Sequence, residues 1–258
     1  MRIAVVIPAY NEARTIRDVA VRALRESPLV IVVDDGSTDG TAHVLDGLPV
    51  RVVRHESNVG KAAALWSGFD VALAEGADCV ATLDGDGQHD PADLHRLVRA
   101  SPLHPDAIVI GARLLDRGNA PVSRRVANVI ADFWISWAAG YPIADSQSGE
   151  RLYPAPLLRV IEAAHDRRGA FTFESEVLIR AAHCGFPSVA VPIRATYAQG
   201  NRPSHFRPVR DIARIVVMVA RELLARGLYP AGLWNSLRTA PVVVEAEDDD
   251  GDGFKVVT

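Results

Sequence analysis

Two carboxylates one residue apart, Asp84 and Asp86, with glycine between them and Gln88 two places on, are the residues of this chain best placed to do chemistry. They follow the apolar run Cys79-Val80-Ala81-Thr82-Leu83 and precede Pro91, a good first residue for a helix. A strand therefore delivers both acids to the mouth of a sheet. A hard divalent cation takes oxygen ligands and shares its remaining positions with phosphate and water. Asp84 and Asp86, with Gln88 as a neutral oxygen ligand, suit a metal holding a diphosphate. For Asp-Gly-Asp alone a solvated turn is the competing account.

The elements that must position these acids alternate along the chain. Ile3 to Ile7, Val30 to Val33, Val50 to Val53, Cys79 to Leu83 and Ala107 to Gly111 are short apolar runs of strand length. Helices are expected after Glu12 to about Leu24, after Lys61, and from Pro91 to about Ala100. This order predicts an α/β fold, a Rossmann-like and mostly parallel sheet covered by helices on both faces. Polar residues gather just after three strands, at Tyr10 to Glu12, Asp34 to Thr38 and Asp84 to Gln88. Ligands of open α/β sheets bind outside the carboxyl ends of the strands, so three loops are expected at one site. Ser37, Thr38 and Asp39 are also natural caps for a short helix.

The second half is less regular. Val126, Val129, Ile130, Phe133, Trp134 and Trp137 recur at helical spacing between Arg124 and Ala139. Asp145 to Tyr153 reads as a polar loop entering a strand, Phe173 to Ala182 as a helix and Ser188 to Ile193 as a strand. Gly200 to Pro208 is a basic loop before an amphipathic helix, Val209 to Arg226.

The 258 residues are 48% hydrophobic, ample for a core. The net charge of −4 comes from the last stretch, which takes six of the 32 acids and one of the 28 bases and leaves a nearly neutral body. Between Arg194 and Arg238 eight arginines face Asp211 and Glu222, a bias that attracts phosphate or an anionic surface. No basic stripe or aromatic recognition module points to nucleic acid. Cys79 and Cys184 are too far apart for a disulfide framework or metal spacing and read as inert core residues of a reducing cytoplasm. Residues 242–258, acidic and glycine-containing, read as a disordered tail after an extension over 227–241.

Taken in order, Pro8-Ala9-Tyr10-Asn11-Glu12, Val33 to Thr41, Asn58-Val59-Gly60-Lys61, Asp84 to His89 and Asp145 to Tyr153 resemble the motifs of the family 2 glycosyltransferases of the GT-A fold. Within them the chain is similar to the dolichyl- or polyprenyl-phosphate sugar synthases, over about Arg2 to Arg226. The resemblance implies one glycosyltransferase domain over 1–226. It implies that Pro8, Tyr10 and Glu12 line the nucleotide, and that Asp35, supported by Asp34, accepts from base or ribose. Asp84, Asp86 and Gln88 would hold Mg²⁺ or Mn²⁺ against the donor diphosphate, and Lys61 is either a further charge there or a solvated surface lysine.

On the acceptor side, Arg113, Arg124 and Arg125 match positions where such enzymes place arginines on the lipid phosphate, a task suited to a planar fork. Asp145 matches the family's acidic residue near the acceptor. It would be a general base for a hydroxyl acceptor, whereas a phosphate acceptor is already ionised and leaves Asp145 only groups to orient. Glu150 stands where the family has an aromatic residue. Ser204, His205 and Arg207 resemble a late basic loop that closes over the donor phosphates, with His205 where lysine is usual.

The expected partners are a nucleotide-sugar donor, GDP-mannose or a UDP-sugar, and a polyprenyl-phosphate or glycolipid acceptor. Val126 to Ala144, interrupted by Asn128 and Asp132, falls short of a membrane span, which needs ~20 predominantly apolar residues. Trp134, Trp137, Tyr141 and the arginine-bearing last helix either rest peripherally on the cytoplasmic face of the membrane or pack in the core. Competing functions are transfer to a sugar or glycolipid hydroxyl and a non-catalytic nucleotide-sugar binding protein. A sugar-1-phosphate nucleotidyltransferase would need a glycine-rich basic loop after the first strand, which is missing.

Overall fold

The computed structural model describes residues 1–115, 122–162, 173–194, 208–246 and 254–257. In chain order the elements are β1 (Ile3–Ala9), α1 (Ile16–Glu26), β2 (Leu29–Asp34), β3 (Arg51–Arg54), α2 (Lys61–Ala74), β4 (Cys79–Thr82), α3 (Leu94–Ala100), β5 (Ile108–Ala112), α4 (Val122–Ala139), β6 (Arg151–Pro154), α5 (Ala155–Glu162), α6 (Phe173–His183), β7 (Ser188–Pro192), α7 (Pro208–Ala225), α8 (Pro230–Arg238), β8 (Val243–Ala246) and β9 (Phe254–Val257). The chain divides into two compact units: residues 1–95 with 149–162 belong to the first, and residues 96–115, 122–148, 173–194 and the described residues from 208 onward to the second.

In the first unit the strands run β3-β2-β1-β4-β6. β1 pairs in parallel with β2 (Val5 opposite Val30) and with β4 (Val5 opposite Ala81), and β2 pairs in parallel with β3. Ala4, Val5, Val6 and Ile7 are fully buried, which is why β1 reads as a continuous apolar run: both of its faces are covered. β6 runs antiparallel to β4, with Thr82 opposite Arg151. Helix α2 packs on β1 and β2, and its Phe69 meets Trp66 edge-on and Tyr153 of β6 at centroid distances of 5.6 Å. Aromatic pairs of this geometry contribute stabilisation beyond that of the area they bury.

In the second unit β5 and β7 pair in parallel from Ile108 opposite Ser188 to Ala112 opposite Pro192. β8 pairs in parallel with β7, and β9 antiparallel with β8. These two strands lie within 242–258 and correct the expectation of a disordered tail. The β-branched run Val242-Val243-Val244 outweighs the neighbouring acids, and Val244 is fully buried. The extension 227–241 carries α8.

Helix α4 packs against α6, α7 and α8. Its buried face is Ala131, Ile135 and Ala138, whereas Val126, Val129, Ile130 and Phe133 are exposed, Val129 by 68%. Core packing therefore does not account for that part of the apolar stripe. Cys79 is buried, but Cys184, expected in the core, is exposed just past the end of α6.

Candidate active site

The residues expected on the donor side come from the loops after β1, β2, β3 and β4, all in the first unit. The β1 and β2 loops are tied together by side chains. Asn11 N–H donates to Ser37 Oγ (2.9 Å), Glu12 N–H to Thr41 Oγ1 (2.9 Å), and Thr38 N–H to Asn11 Oδ1 (2.9 Å). Asn11 has φ +57°, a left-handed backbone that asparagine tolerates better than most residues. Pro8 sits in β1 opposite Val33, Tyr10 is exposed, and Glu12 Oε2 lies 3.3 Å from Thr15 Oγ1. Thr15 Oγ1 also donates to Gly85 O (2.7 Å), which fixes the β4 loop to the start of α1.

The paired acids have different work. Asp34 is fully buried; its Oδ1 accepts from Ser37 N–H (2.9 Å) and its Oδ2 lies 3.4 Å from Arg54 Nε. Asp35 holds the turn that opens α2: Oδ1 accepts from Val59 N–H (3.0 Å) and Oδ2 from Gly60 N–H (2.8 Å). His55 Nδ1 lies 2.7 Å from Asp35 Oδ1, and His55 Nε2 lies 2.9 Å from Ser67 Oγ on α2. A carboxylate has about four lone-pair sites, so Asp35 retains capacity for one further donor. His55 and Ser67 are absent from the sequence reading, although His55 follows a strand end like the other polar residues of this rim.

Asp84 and Asp86 emerge just past β4. Asp86 Oδ1 accepts from Gln88 N–H at 3.0 Å, which shapes the turn. Lys61, the first residue of α2, places Nζ 2.6 Å from Asp84 Oδ1, so it is an ion-pair partner and not a solvated lysine. Thr82 Oγ1 donates to Gly149 O (2.7 Å). A Cβ on Gly149 would lie 2.5 Å from Asp84 Oδ2, so only glycine leaves this carboxylate its place. Glu150 is fully buried beside it. Burial first, then the nearby Asp93, Asp90 and Asp84, push its carboxyl well above the usual carboxylate range.

The residues expected on the acceptor side, Arg113, Arg125 and Asp145, lie in the second unit. Arg113, just past β5, grips Asp145 with its fork: Nε donates to Oδ2 (2.8 Å) and Nη2 to Oδ1 (2.6 Å), and Arg113 N–H adds a third bond to Oδ2 (2.8 Å). Asp145 is 7% exposed and has φ +49°, a strained conformation for a non-glycine residue. The next residue is anchored by Asp132 of α4, whose Oδ1 accepts from Ser146 N–H (2.8 Å) and Ser146 Oγ (2.6 Å). Ser148 Oγ donates to Gly111 O (2.6 Å). Burial raises the Asp132 carboxyl to about 6, with the Ser146 hydrogen bonds opposing and the Asp145 charge adding. Asp132 escaped the sequence reading as a mere interruption of an apolar helix; a carboxylate within such a stripe was the available signal. Arg125 is exposed near the start of α4. The side chain of Arg124, and all of Ser204, His205 and Arg207, lie outside the described residues.

The mostly parallel α/β sheet, with acids at the carboxyl ends of β2 and β4, is the GT-A fold of nucleotide-sugar-dependent glycosyltransferases. A solved structure of glucosyl-3-phosphoglycerate synthase from Mycobacterium tuberculosis, in complex with Mn²⁺, UDP-glucose and phosphoglyceric acid, shares this fold. It superposes with a TM-score of 0.61 at 24% identity, over 89% of this chain and 80% of that one. The family model for glycosyl transferase family 2 matches residues 4–153, and the chain belongs to that family. The polyprenol monophosphomannose synthase of Mycolicibacterium smegmatis is 35% identical over 76% of this chain and 77% of that protein. A UDP-N-acetylglucosamine–dolichyl-phosphate N-acetylglucosaminyltransferase from Methanococcus voltae is 30% identical over 76% of this chain and 86% of that protein.

Proposed function

We propose that this glycosyltransferase is an inverting, divalent-metal-dependent enzyme that moves a sugar from GDP-mannose or a UDP-sugar to a polyprenyl or dolichyl phosphate. The observation that carries the reading is the capture of Asp145 by Arg113. Both carboxylate oxygens receive guanidinium donors, so the ion pair with Arg113 opposes taking a proton from a hydroxyl acceptor. A phosphate acceptor needs no base. Its ionised oxygen attacks the anomeric carbon, the new C–O bond forms as the bond to the diphosphate breaks, and the nucleoside diphosphate leaves with the electron pair. Asp145 then acts as a positioning residue for Arg113, and Arg113, Arg124 and Arg125 supply the charge that holds the lipid phosphate. The two relatives named above, whose names specify polyprenol and dolichyl phosphate, support this acceptor class and differ in the sugar.

On the donor side Pro8, Tyr10, Glu12 and Asp35 line the nucleotide, the buried Asp34 supports Asp35 by bracing the loop, and Ser204, His205 and Arg207 would close over the donor phosphates. Asp84, Asp86 and Gln88 fit a divalent cation. Their ligating atoms are all oxygen, and the site already draws the Lys61 ammonium to Asp84. Among the described residues no three His, Cys, Asp or Glu side chains form a cage, so the cation would share its positions with the diphosphate. When bound, Mg²⁺ or Mn²⁺ would supply Lewis-acid stabilisation of the leaving diphosphate.

Among the described residues no helix is long and apolar enough to cross a membrane. The exposed Val126, Val129, Ile130 and Phe133 of α4, and Trp234 and Leu237 of α8, support peripheral contact with a membrane, which this reading assigns to the cytoplasmic face. The test is product formation from radiolabelled UDP- and GDP-sugars with undecaprenyl phosphate, with Mg²⁺ or Mn²⁺ and with EDTA. A metal-dependent, mild-acid-labile lipid product is expected. Donor binding without lipid product would shift the acceptor to a hydroxyl and make Asp145 the base to mutate.

A further inference from the structure

The ion pair between Lys61 and Asp84 sits on the oxygen that a divalent cation would need. Lys61 Nζ is 2.6 Å from Asp84 Oδ1, with the lysine side chain 41% and the aspartate side chain 27% exposed. The backbone of this lysine is not free to move. The two residues before it donate their N–H groups to Asp35, and Asp35 is braced by His55, which is braced in turn by Ser67 one and a half turns into the same helix. What can move is the four-carbon side chain, a flexible stem carrying a compact and strongly hydrated charge.

We propose that Lys61 is a tethered placeholder cation: it neutralises Asp84 while no metal is bound and is displaced from that oxygen when a divalent cation arrives. The inference rests on the reading of Asp84 and Asp86 as metal ligands. An ammonium and a divalent ion in contact with one carboxylate oxygen repel each other at close range, so the two occupancies compete. The displaced ammonium stays at the first turn of α2, where helix N–H groups and a positive charge favour an anion, and so becomes available to the donor diphosphate that arrives with the metal. Competition of this kind lowers the affinity for metal alone and links tight metal binding to the presence of the diphosphate, because a ligand shifts an equilibrium only by its differential affinity for the two states.

The chain has only two lysines, Lys61 and Lys255, which makes the test direct. The full-length protein is acylated briefly with an amine-reactive ester, with and without Mn²⁺ and without nucleotide. The modification of Lys61 relative to Lys255 is read by peptide mass spectrometry, and bound Mn²⁺ is counted in the same samples by electron paramagnetic resonance. Mn²⁺ should raise the relative labelling of Lys61 several-fold; Asp84→Asn should show the raised labelling without metal and no further response. In a second measurement Lys61→Met should bind Mn²⁺ more tightly than the wild type. Bound Mn²⁺ with unchanged Lys61 labelling, or unaltered Mn²⁺ affinity in Lys61→Met, overturns the placeholder while leaving the metal site standing. Failure of the wild type and of Lys61→Met to bind Mn²⁺ removes the metal site and the placeholder together.

Discussion

Asp132→Asn separates the charge of a largely desolvated carboxylate from its hydrogen bonds. The Asp132 carboxyl stands at about 6 in the folded protein against an ordinary 3.8, chiefly because it is desolvated on α4. Between those values the folded state binds more protons than the unfolded one, so this group's contribution is fully present below 3.8 and is lost as pH rises through about 6. The gap corresponds to about 3 kcal/mol in all, of which roughly 2 kcal/mol disappears between about pH 4 and pH 7. Asparagine keeps an oxygen for Ser146 N–H and Ser146 Oγ but carries no charge. It weakens the remaining backbone bond from Asp145, a pH-independent cost of about 1 kcal/mol. Urea unfolding followed by circular dichroism across this pH range gives the difference between variant and wild type. Other titrating groups, Glu150 included, cancel in it. The variant should gain roughly 2 kcal/mol on the wild type on going from about pH 4 to pH 7. A difference that stays flat with pH would refute the assignment of a desolvated, reluctantly ionised Asp132.

Four further outcomes are expected. Gly36→Ala places a Cβ 2.5 Å from the Ser57 carbonyl carbon at a residue with φ +72°, and should cost at least about 2 kcal/mol in urea unfolding; a near-neutral effect would mean that the β3–α2 loop yields easily. Asp86→Ala should abolish turnover while leaving the unfolding midpoint within about 0.5 kcal/mol of wild type, and retained turnover removes the metal site. Arg124→Ala combined with Arg125→Ala should raise the apparent KM for polyprenyl phosphate, and an unchanged KM moves the acceptor site elsewhere. Val129→Asp combined with Trp234→Asp, two exposed positions, should weaken co-sedimentation with anionic lipid vesicles without changing stability; undiminished binding places the membrane face on other residues.

The alternation of short apolar runs with helical stretches determined the α/β class, because strands buried on both faces must be continuously apolar and parallel strands need crossovers. The polar residues after β1, β2 and β4 were legible as one rim for the same reason: side chains at the carboxyl ends of parallel strands face one crevice. Spacing could not reveal partners distant in sequence. That Lys61 pairs with Asp84, that His55 and Ser67 brace Asp35, and that Arg113 closes its fork on Asp145 depend on how loops far apart in the chain are brought together. Burial, too, is a property of the fold. Helical periodicity identified an apolar stripe on α4, but only packing against α6, α7 and α8 decided that Ala131, Ile135 and Ala138 are covered while Val129 faces out. Asp132 is largely withdrawn from solvent in the folded chain, and that desolvation turns an apparent flaw in an apolar helix into a carboxyl that holds its proton up to about pH 6. Composition did not reveal the strands at 243–246 and 254–257 because it averages the acids with the valines, whereas pairing is decided by a few β-branched residues meeting a sheet edge, here β8 on β7 and β9 on β8.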